Sequence, residues 1–200
     1  MTTPYDAIVL AGGAARRLDG ADKPQLTVGG RALLDRVLAA CAGAGRIVVV
    51  GPRPATAPPS RPDLWWTRER PSGGGPVAAV AAGLAGPQIT AERVLLLAAD
   101  LPFLDDGTLR RLAAAVCGEV EAAVLVDAEG RDQPLTAAYR ASALRAALDA
   151  LGDPAGAPLR RLTAGLRTVR LADRDGASYD CDTWEQLAEA RRRTGRGGAV

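Results

Sequence analysis

A continuous apolar run, Val94 to Ala99 (VLLLAA), places the tightest limit on the architecture of this 200-residue chain. A run of this kind is typical of a strand that is buried on both faces, which needs helices on both sides of a sheet. Strand-like and helical patterns alternate along the chain. The strand-like segments are Asp6–Leu10, Arg46–Val50, Leu64–Thr67, Val94–Ala99, Ala122–Val126, Leu135–Arg140 and Leu166–Leu171, and the helical ones are Ala32–Ala42, Val77–Leu84, Asp106–Val116, Ser142–Leu151, Pro158–Ala164 and Thr183–Arg193. This alternation predicts an α/β fold around a mostly parallel sheet.

The chain carries no internal repeat and no linker that would divide it. With 48% apolar residues, it is long enough to form one packed core. We expect a single domain over residues 1–194 and a flexible tail over residues 195–200. A returning segment near residues 127–140 predicts that the sheet is locally mixed.

The composition excludes several classes of function. The chain has no histidine, which excludes Ser-His-Asp triads, Cys-His pairs and histidine-ligated metals. A net charge of +2 gives no reason to expect a nucleic-acid partner. The three cysteines form no CxxC pair, and neither a membrane-spanning run nor a signal peptide is recognisable, so we expect a cytoplasmic protein without a membrane partner. Phosphoryl chemistry remains open, because it runs on cations and positioning.

One segment has the composition of a phosphate-binding loop. Residues 10–23 read LAGGAARRLDGADK and follow the first predicted strand. The pair Gly12–Gly13 lets backbone amides approach an anion, and Arg16, Arg17 and Lys23, the only lysine, supply mobile positive charge. The segment matches neither the Walker A pattern nor GxGxxG. The alternative is that the glycines serve only a tight bend.

A carboxylate follows the most apolar strand. Asp100 stands directly after that run, and Pro102 turns the chain away. Ligands in open α/β sheets lie beyond the carboxyl ends of strands, and Mg²⁺ needs only one or two carboxylates when substrate phosphates supply the rest. Asp100 is therefore a candidate metal ligand. The alternative is that Asp100 caps a following turn, although Asp105 and Asp106 are better placed to cap the next helix.

Together these motifs resemble the molybdenum cofactor guanylyltransferases (the MobA family). Residues 10–23 are similar to the family signature L-A-G-G followed by R-M-G-x-x-D-K. Four further segments match in order: Gly75-Pro76-Val77-Ala78 (G-P-L-A/G), Asp100-Leu101-Pro102 (D-x-P), Gln133-Pro134-Leu135 with Tyr139 (H/Q-P-L…Y) and Asp182-Thr183-Trp184-Glu185-Gln186-Leu187 (N/D-T-P-E-x-L). The resemblance covers residue 8 to about residue 190. It implies a single-domain, Rossmann-like nucleotidyltransferase fold.

The resemblance implies an activity and a set of site residues. The chain would transfer GMP from Mg²⁺-bound GTP to the terminal phosphate of molybdopterin and release pyrophosphate. Leu10, Ala11 and Gly12 would contact guanine and ribose, Gly13 the phosphates, Arg17 and Lys23 the triphosphate, Glu69, Gly75 and Pro76 the nucleotide, Asp100 and Asp182 the metal or its waters, and Gln133, Tyr139, Arg160 and Arg161 the acceptor. Proteins that deliver molybdopterin, or molybdoenzymes, would be transient partners.

Several of these residues also have purely structural interpretations. For Glu69 the alternative is a solvated loop charge. For Asp182 it is a cap of the last helix, and the spacing of Thr183 and Gln186 also favours a cap there. For the Arg160–Arg161 pair it is a solvated helix face.

The sequence departs from the family pattern at four positions. Leu18 replaces Met, Asp19 stands where Gly is usual, Gly51 stands where the family often has Asn, and Trp184 replaces Pro. Asp19 and Gly51 motivate a non-enzymatic alternative, a paralogue that binds nucleotide or pterin without turnover.

Two other enzyme classes remain open. A cytidylyltransferase acting on the same acceptor would carry L-A-A-G, and the segment 180–183 (DCDT) resembles its D-x-D-T motif, whereas Gly12–Gly13 and Asp22-Lys23 favour GTP. A sugar-1-phosphate nucleotidyltransferase is suggested by Lys23-Pro24, which resembles P-K-P, although the spacing from arginine to lysine there is normally longer.

Overall fold

The computed structural model describes residues 3–12, 23–54, 62–86 and 88–196. The strands of this part are β1 (Asp6–Leu10), β2 (Thr27–Val28), β3 (Arg31–Ala32), β4 (Ile47–Val50), β5 (Leu64–Thr67), β6 (Arg93–Ala98), β7 (Ala122–Val126), β8 (Asp132–Arg140) and β9 (Thr168–Ala172). The helices are α1 (Leu33–Ala40), α2 (Gly75–Ala85), α3 (Asp106–Ala115), α4 (Ala141–Leu151), α5 (Leu159–Thr163) and α6 (Trp184–Arg196).

Seven strands form one sheet in the order β5-β4-β1-β6-β8-β7-β9. The pairs β4–β5, β1–β4, β1–β6 and β7–β9 are parallel, whereas β8 runs antiparallel to both β6 and β7. This confirms a mostly parallel sheet that is mixed near residues 127–140. The register between β7 and β8 shifts between Val124 and Leu125, and β8 begins three residues before the predicted Leu135. An irregularity of this kind interrupts the two-residue period on which the prediction depended.

The sheet is covered by helices on both faces, as its central strands require. Every residue of β1 and β4 is buried. Alternate residues of β1 contribute to two separate hydrophobic clusters, because successive side chains of a strand point to opposite faces. Ala7 and Val9 pack in the cluster that includes residues of α1 and α3, and Ile8 and Leu10 pack in the cluster that includes residues of α2, α4 and α5.

A small hairpin and the last helix form a third cluster beside the sheet. β2 and β3 pair antiparallel through the turn Gly29–Gly30, where both residues have positive φ, as a two-residue hairpin turn requires. Val28 and Leu33 pack against Leu187 and Ala190 of α6. Two-residue strands carry no detectable periodicity, so the sequence did not predict them.

The last helix and the last strand differ from their predicted bounds. α6 was predicted to end at Arg193 but continues to Arg196, so residues 195 and 196, assigned to a flexible tail, belong to the helix. β9 begins at Thr168 and not at Leu166. None of the described helices is long and apolar enough to cross a membrane.

The packing of α2 on β1 predicts a sensitive position at Gly83. A Cβ atom built there would lie 2.7 Å from Cγ2 of the fully buried Ile8. We expect Gly83→Val to lower the free energy of unfolding by about 1–3 kcal/mol through overpacking. Ala85→Val, at an exposed position of the same helix, is the matched control and should change it by less than about 1 kcal/mol. Urea unfolding measures both, and equal effects would contradict this packing.

Candidate active site

The register between β1 and β6 brings two polar turns together. Leu10 pairs with Ala98, so both strands end at the same edge of the sheet. The backbone N–H of Ala99 donates to the carbonyl of Leu10 at 3.2 Å, and that of Ala11 donates to the carbonyl of Val50 at 2.8 Å. The turn that follows β1 and the carboxylate that follows β6 therefore lie side by side, as expected for open α/β sheets.

A cleft of about 770 Å³ opens above this edge. It brings together nine residues that the sequence assigned to a site: Leu10, Ala11, Gly12, Lys23, Glu69, Gly75, Pro76, Asp100 and Asp182. They come from segments as distant in sequence as residues 10 and 182, so the fold assembles what the separate motifs only suggested. A volume of this size is in the range of small-molecule sites.

Lys23 lies between two carboxylates at the centre of the cleft. Its Nζ forms ion pairs with Oδ2 of Asp100 and, at 2.5 Å, with Oδ1 of Asp182. The side chains of Lys23 and Asp100 are only 19% and 10% exposed. Burial acts to lower the pKa of Lys23, but the charges of Asp100 and Asp182 and their hydrogen bonds outweigh it, and the net pKa is raised. The ammonium group therefore stays charged.

Asp180 is a further acid in the cleft that sequence reasoning left out of the site. Asp180 and Asp182 both line the cleft, whereas Cys181 between them is buried. Burial, and then the charges of Asp100 and Asp182, raise the pKa of Asp180. The alternation of the DCD triplet was the available signal, because residues two apart in an extended segment face the same side.

The structural alternatives for Asp182 and Asp100 do not hold. The last helix is capped by Thr183, whose Oγ1 accepts from the N–H of Gln186 at 3.2 Å. In return, Oε1 of Gln186 accepts from the N–H groups of Asp182 and Thr183, which completes a capping box. At α3 the cap is Asp105, which accepts from the N–H of Thr108 at 2.8 Å. The Asp182 and Asp100 carboxylates are left to face the cleft.

Glu69 lies over the turn that follows β1. A Cβ atom built on Gly12 would lie 3.6 Å from Glu69 Oε1, and the same oxygen accepts from the N–H of Gly73 at 3.2 Å. Glu69 is half-buried and lines the cleft, so it is more than a solvated loop charge. It places hydrogen-bond acceptors in the wall of the cleft beside Gly12.

Gly51 has a physical reason to depart from the family pattern. Its φ is +153°, and a Cβ atom there would lie 2.6 Å from the carbonyl carbon of Ala11 and 2.8 Å from the nitrogen of Gly12. Any side chain at this position would displace the turn that follows β1. Gly51 therefore allows the end of β4 to pack closely beneath the turn that lines the cleft.

The residues predicted to hold an acceptor lie outside the cleft. Tyr139 is a correction: its side chain is fully buried in the core and its hydroxyl donates to the carbonyl of Pro134 at 3.0 Å. Nε2 of Gln133 donates to Oδ2 of Asp127 at 2.7 Å, and its neighbour Leu135 lines the cleft instead. The Arg160–Arg161 pair is exposed on α5.

Part of the predicted phosphate loop is not included in this description. Gly13, Arg16 and Arg17 lie outside the described residues, as do Leu18 and Asp19. Their roles stay predictions.

The arrangement suits a hard divalent cation. Within the described residues, no group of three or more acidic or cysteine side chains is arranged to hold a metal by itself. Asp100 and Asp182, however, already hold a positive charge between them in the form of the Lys23 ammonium. Two carboxylates in this position fit a cation whose other ligands come from substrate phosphates and water.

Comparisons with known proteins agree with this geometry. Residues 7–171 match the family model described as a MobA-like NTP transferase domain. The chain is 31% identical to the molybdenum cofactor guanylyltransferase of Bradyrhizobium sp. (strain ORS 278), over 96% of this chain and 93% of the relative. It is 32% identical to the protein of the same name from Acidiphilium cryptum (strain JF-5), over 93% of this chain and 94% of the relative.

The fold also matches a solved structure. A nucleotidyl transferase from Methanothermobacter thermautotroptrophicus superposes with a TM-score of 0.78 and 24% sequence identity, over 97% of this chain and 99% of that one. At this identity the likeness concerns the fold alone.

Variants at Thr183 and Asp182 should distinguish the stability that the helix cap contributes from the stability that the ion pair in the cleft contributes. We expect Thr183→Ala to lower the free energy of unfolding by about 1 kcal/mol, because the backbone N–H of Gln186 loses its acceptor, the Thr183 hydroxyl. Thr183→Ser, which keeps the hydroxyl, should restore most of it. Asp182→Asn should change it by less than about 1 kcal/mol, because this carboxylate is 44% exposed and its ion pair is screened. Chemical denaturation measures the free energy of unfolding of the three variants. A larger loss in Asp182→Asn than in Thr183→Ala would refute the assignment of Thr183 as the cap of α6.

Removing the cation should destabilise the cleft. We expect Lys23→Met to lower the free energy of unfolding by about 1–3 kcal/mol, since two partly buried carboxylates lose their counter-charge. The double variant Lys23→Met/Asp100→Asn should recover part of the loss. Because the pKa of Lys23 is raised in the folded state, its contribution is present at neutral pH and is lost only as the pH rises beyond about 10.4. Denaturation series over pH would contradict this if the difference from the wild type vanished well below that range.

Proposed function

Because this chain belongs to the MobA-like NTP transferase family, we propose that it transfers GMP from GTP to the terminal phosphate of molybdopterin, forming the guanine dinucleotide and releasing pyrophosphate. Relatives named molybdenum cofactor guanylyltransferase match more than nine-tenths of the chain. The observation that carries the proposal is the position of Lys23 between Asp100 and Asp182, next to the backbone turn at Gly12.

The cleft offers separate surfaces for the parts of GTP. One side of the cleft, next to the carboxylate of Glu69, is lined by Leu10, Ala11 and Gly12, where a ligand can reach the backbone. We assign the nucleoside to this side, where Glu69 would accept hydrogen bonds from N–H or hydroxyl groups. The triphosphate belongs to the side of Lys23, together with Gly13 and Arg17. Gly75 and Pro76, at the start of α2, complete the wall of the cleft.

We propose Mg²⁺ as the metal, held by Asp100 and Asp182. Mg²⁺ binds through one or two carboxylates plus substrate phosphates, and when bound it neutralises charge on the phosphate oxygens. As the nucleotide enters, the Lys23 ammonium would exchange its carboxylate partners for phosphate oxygens. The ion pairs of the free protein therefore position Lys23 for its role in the complex.

The residues of the chain then act by orientation and charge. An oxygen of the acceptor phosphate attacks the α-phosphorus of GTP in line, and the bond to pyrophosphate breaks. The acceptor phosphate is already anionic, so no general base is needed, which suits a chain without histidine. Lys23, Arg17 and the backbone amides beside Gly12 would stabilise the leaving pyrophosphate.

The acceptor would lie towards the segments that follow β6, where Asp180 lines the cleft. Gln133 and the Arg160–Arg161 pair, which do not line the cleft, remain the proposed contacts for the phosphate and pterin of an acceptor that extends beyond it. The backbone N–H of Gly156 donates to the carbonyl of Gly74 at 2.8 Å, which ties the loop before α5 to the rim of the cleft. Tyr139 is not part of the proposal because it is buried.

One observation favours a second candidate, transfer of CMP from CTP. The segment 180–183 resembles the D-x-D-T motif of the cytidylyl branch, and its two acids, Asp180 and Asp182, both line the cleft. The juxtaposition of Lys23 and Asp100 supports catalysis of either kind over a non-catalytic paralogue. We further propose a cytoplasmic location, which suits a sequence whose three cysteines form no CxxC pair, and transient contacts with proteins that deliver molybdopterin or receive the product.

The reaction predicts a selective release of pyrophosphate. With molybdopterin-loaded protein and Mg²⁺, release is expected with GTP and not with CTP, ATP or UTP, and chelation of the metal should abolish it. Asp100→Asn should slow it by at least about 100-fold, since removal of one electrostatic contact to the reacting phosphates is of this order.

Asp149→Asn is the matched control, because Asp149 is an exposed acid on α4, and its rate should equal that of the wild type. Pyrophosphate release with CTP and with no other nucleotide would assign the protein to the cytidylyltransferases. No release with any nucleotide would contradict the proposal.

A further inference from the structure

A second cavity lies beyond the carboxyl ends of β4 and β5, next to the cleft but outside it. Its volume is about 370 Å³, and it is lined by Gly51, Arg53, Trp66, Thr67, Arg68 and Arg70. Half of these residues are arginines. None of the three arginines has a role in the reaction proposed above.

The parallel register of two strands brings the arginines together. Val50 pairs with Thr67, and the N–H of Gly51 donates to the carbonyl of Thr67 at 2.9 Å, so the two chains leave the sheet side by side. Arg53 stands three residues after the end of β4. Arg68 and Arg70 stand one and three residues after the end of β5. Residues at this edge of an open α/β sheet are those that meet ligands.

The three guanidinium groups form no ion pair and no hydrogen bond within the described residues. Three other exposed arginines of the chain, by contrast, are ion-paired. Arg131 meets Asp127 at 3.0 Å, Arg167 meets Glu121 at 3.1 Å and Arg170 meets Asp132 at 2.6 Å. Three like charges around one cavity repel one another, and an anion bound among them would relieve that repulsion.

The loop that follows β5 contains one acidic residue, and its carboxylate does not line the second cavity. Glu69 stands between Arg68 and Arg70, but its carboxylate lies in the active-site cleft close to Gly12. Arg68 and Arg70 line the second cavity instead. This alternation separates an acidic side from a basic one and leaves the arginines without a local counter-charge.

Prolines flank two of the three arginines. Arg53 lies between Pro52 and Pro54, and Arg70 precedes Pro71. A residue before proline has fewer accessible backbone conformations, so ordering Arg53 and Arg70 on binding would cost less backbone entropy. The half-buried Trp66 gives the cavity a rigid wall.

We propose that Arg53, Arg68 and Arg70 form a binding site for a small phosphate-bearing anion, separate from the nucleotide position. Guanidinium groups match phosphate oxygens in bidentate geometry, and three of them around a concave volume suit a di- or polyphosphate group. The concavity favours a small molecule over a protein or nucleic-acid surface. The site depends neither on GTP nor on an acceptor, so it stands apart from the proposed reaction.

The test is a calorimetric titration of the full chain with inorganic pyrophosphate, without divalent metal. The variant Arg53→Ala/Arg68→Ala/Arg70→Ala should bind at least about 10-fold more weakly at one site, because charge-assisted contacts to phosphate are lost. The control Arg131→Ala/Arg167→Ala/Arg170→Ala removes the same positive charge elsewhere on the surface and should bind like the wild type. Lys23→Met should keep this site, since Lys23 lies in the other cleft.

A fourth variant distinguishes the loss of guanidinium contacts from a folding defect. Replacing Arg53, Arg68 and Arg70 by lysine keeps the charge but loses the planar fork, and its affinity is expected to lie between those of the wild type and the alanine variant. Titration with inorganic phosphate separates a single-phosphate site from a diphosphate site, for which pyrophosphate binds more tightly. Equal weakening in the control variant, undiminished binding in the alanine variant, or loss of all binding in Lys23→Met would each overturn the proposal.

Discussion

The ion pairs of Lys23 with Asp100 and Asp182 are the interaction on which the rest of the site depends. They join three segments that are far apart in the sequence. A partly buried carboxylate pair without a cation would be costly, and burial acts to lower the pKa of Lys23, which the two carboxylates more than reverse. The carboxylates therefore keep the Lys23 ammonium charged, and the cleft is prepared for a cation and for phosphates before either arrives.

The sheet determines where these charges meet. The pairing of β1 with both β4 and β6 brings three strand ends to one edge, and the close approach of Gly51 to Ala11 and Gly12 leaves no room for a side chain beneath the turn. The same edge continues to β5, where Glu69 and the arginines divide an acidic surface from a basic one. A single row of parallel strand ends thus presents two adjacent cavities of different charge.

The strands with continuous apolar sequence could be predicted closely, because a strand that is buried on both faces carries an unbroken run of apolar residues. β1 and β7 have the predicted bounds, and β4 and β6 differ from theirs by no more than one residue at either end. The half-buried edge strand β5 also has its predicted bounds. The hairpin of β2 and β3 was missed because two residues show no period, and β8 was shortened because its register shifts beside β7. Lys23 and Asp100 were predicted from their motifs, and the cleft brings both together. Tyr139 was wrong because a motif does not reveal which face of a strand is buried. The three arginines were missed because their meeting depends on the parallel register of β4 and β5. Asp180 was missed although the alternation of the DCD triplet pointed to it.

A crystal structure of the protein with GTP and Mn²⁺, which is visible by its anomalous scattering, tests the central claim most directly. The predicted result is a metal peak on an Asp100 oxygen, with Lys23 Nζ moved from the carboxylates to the phosphate oxygens of GTP. A metal bound away from Asp100, or a Lys23 that keeps both ion pairs while the nucleotide is bound, would contradict it.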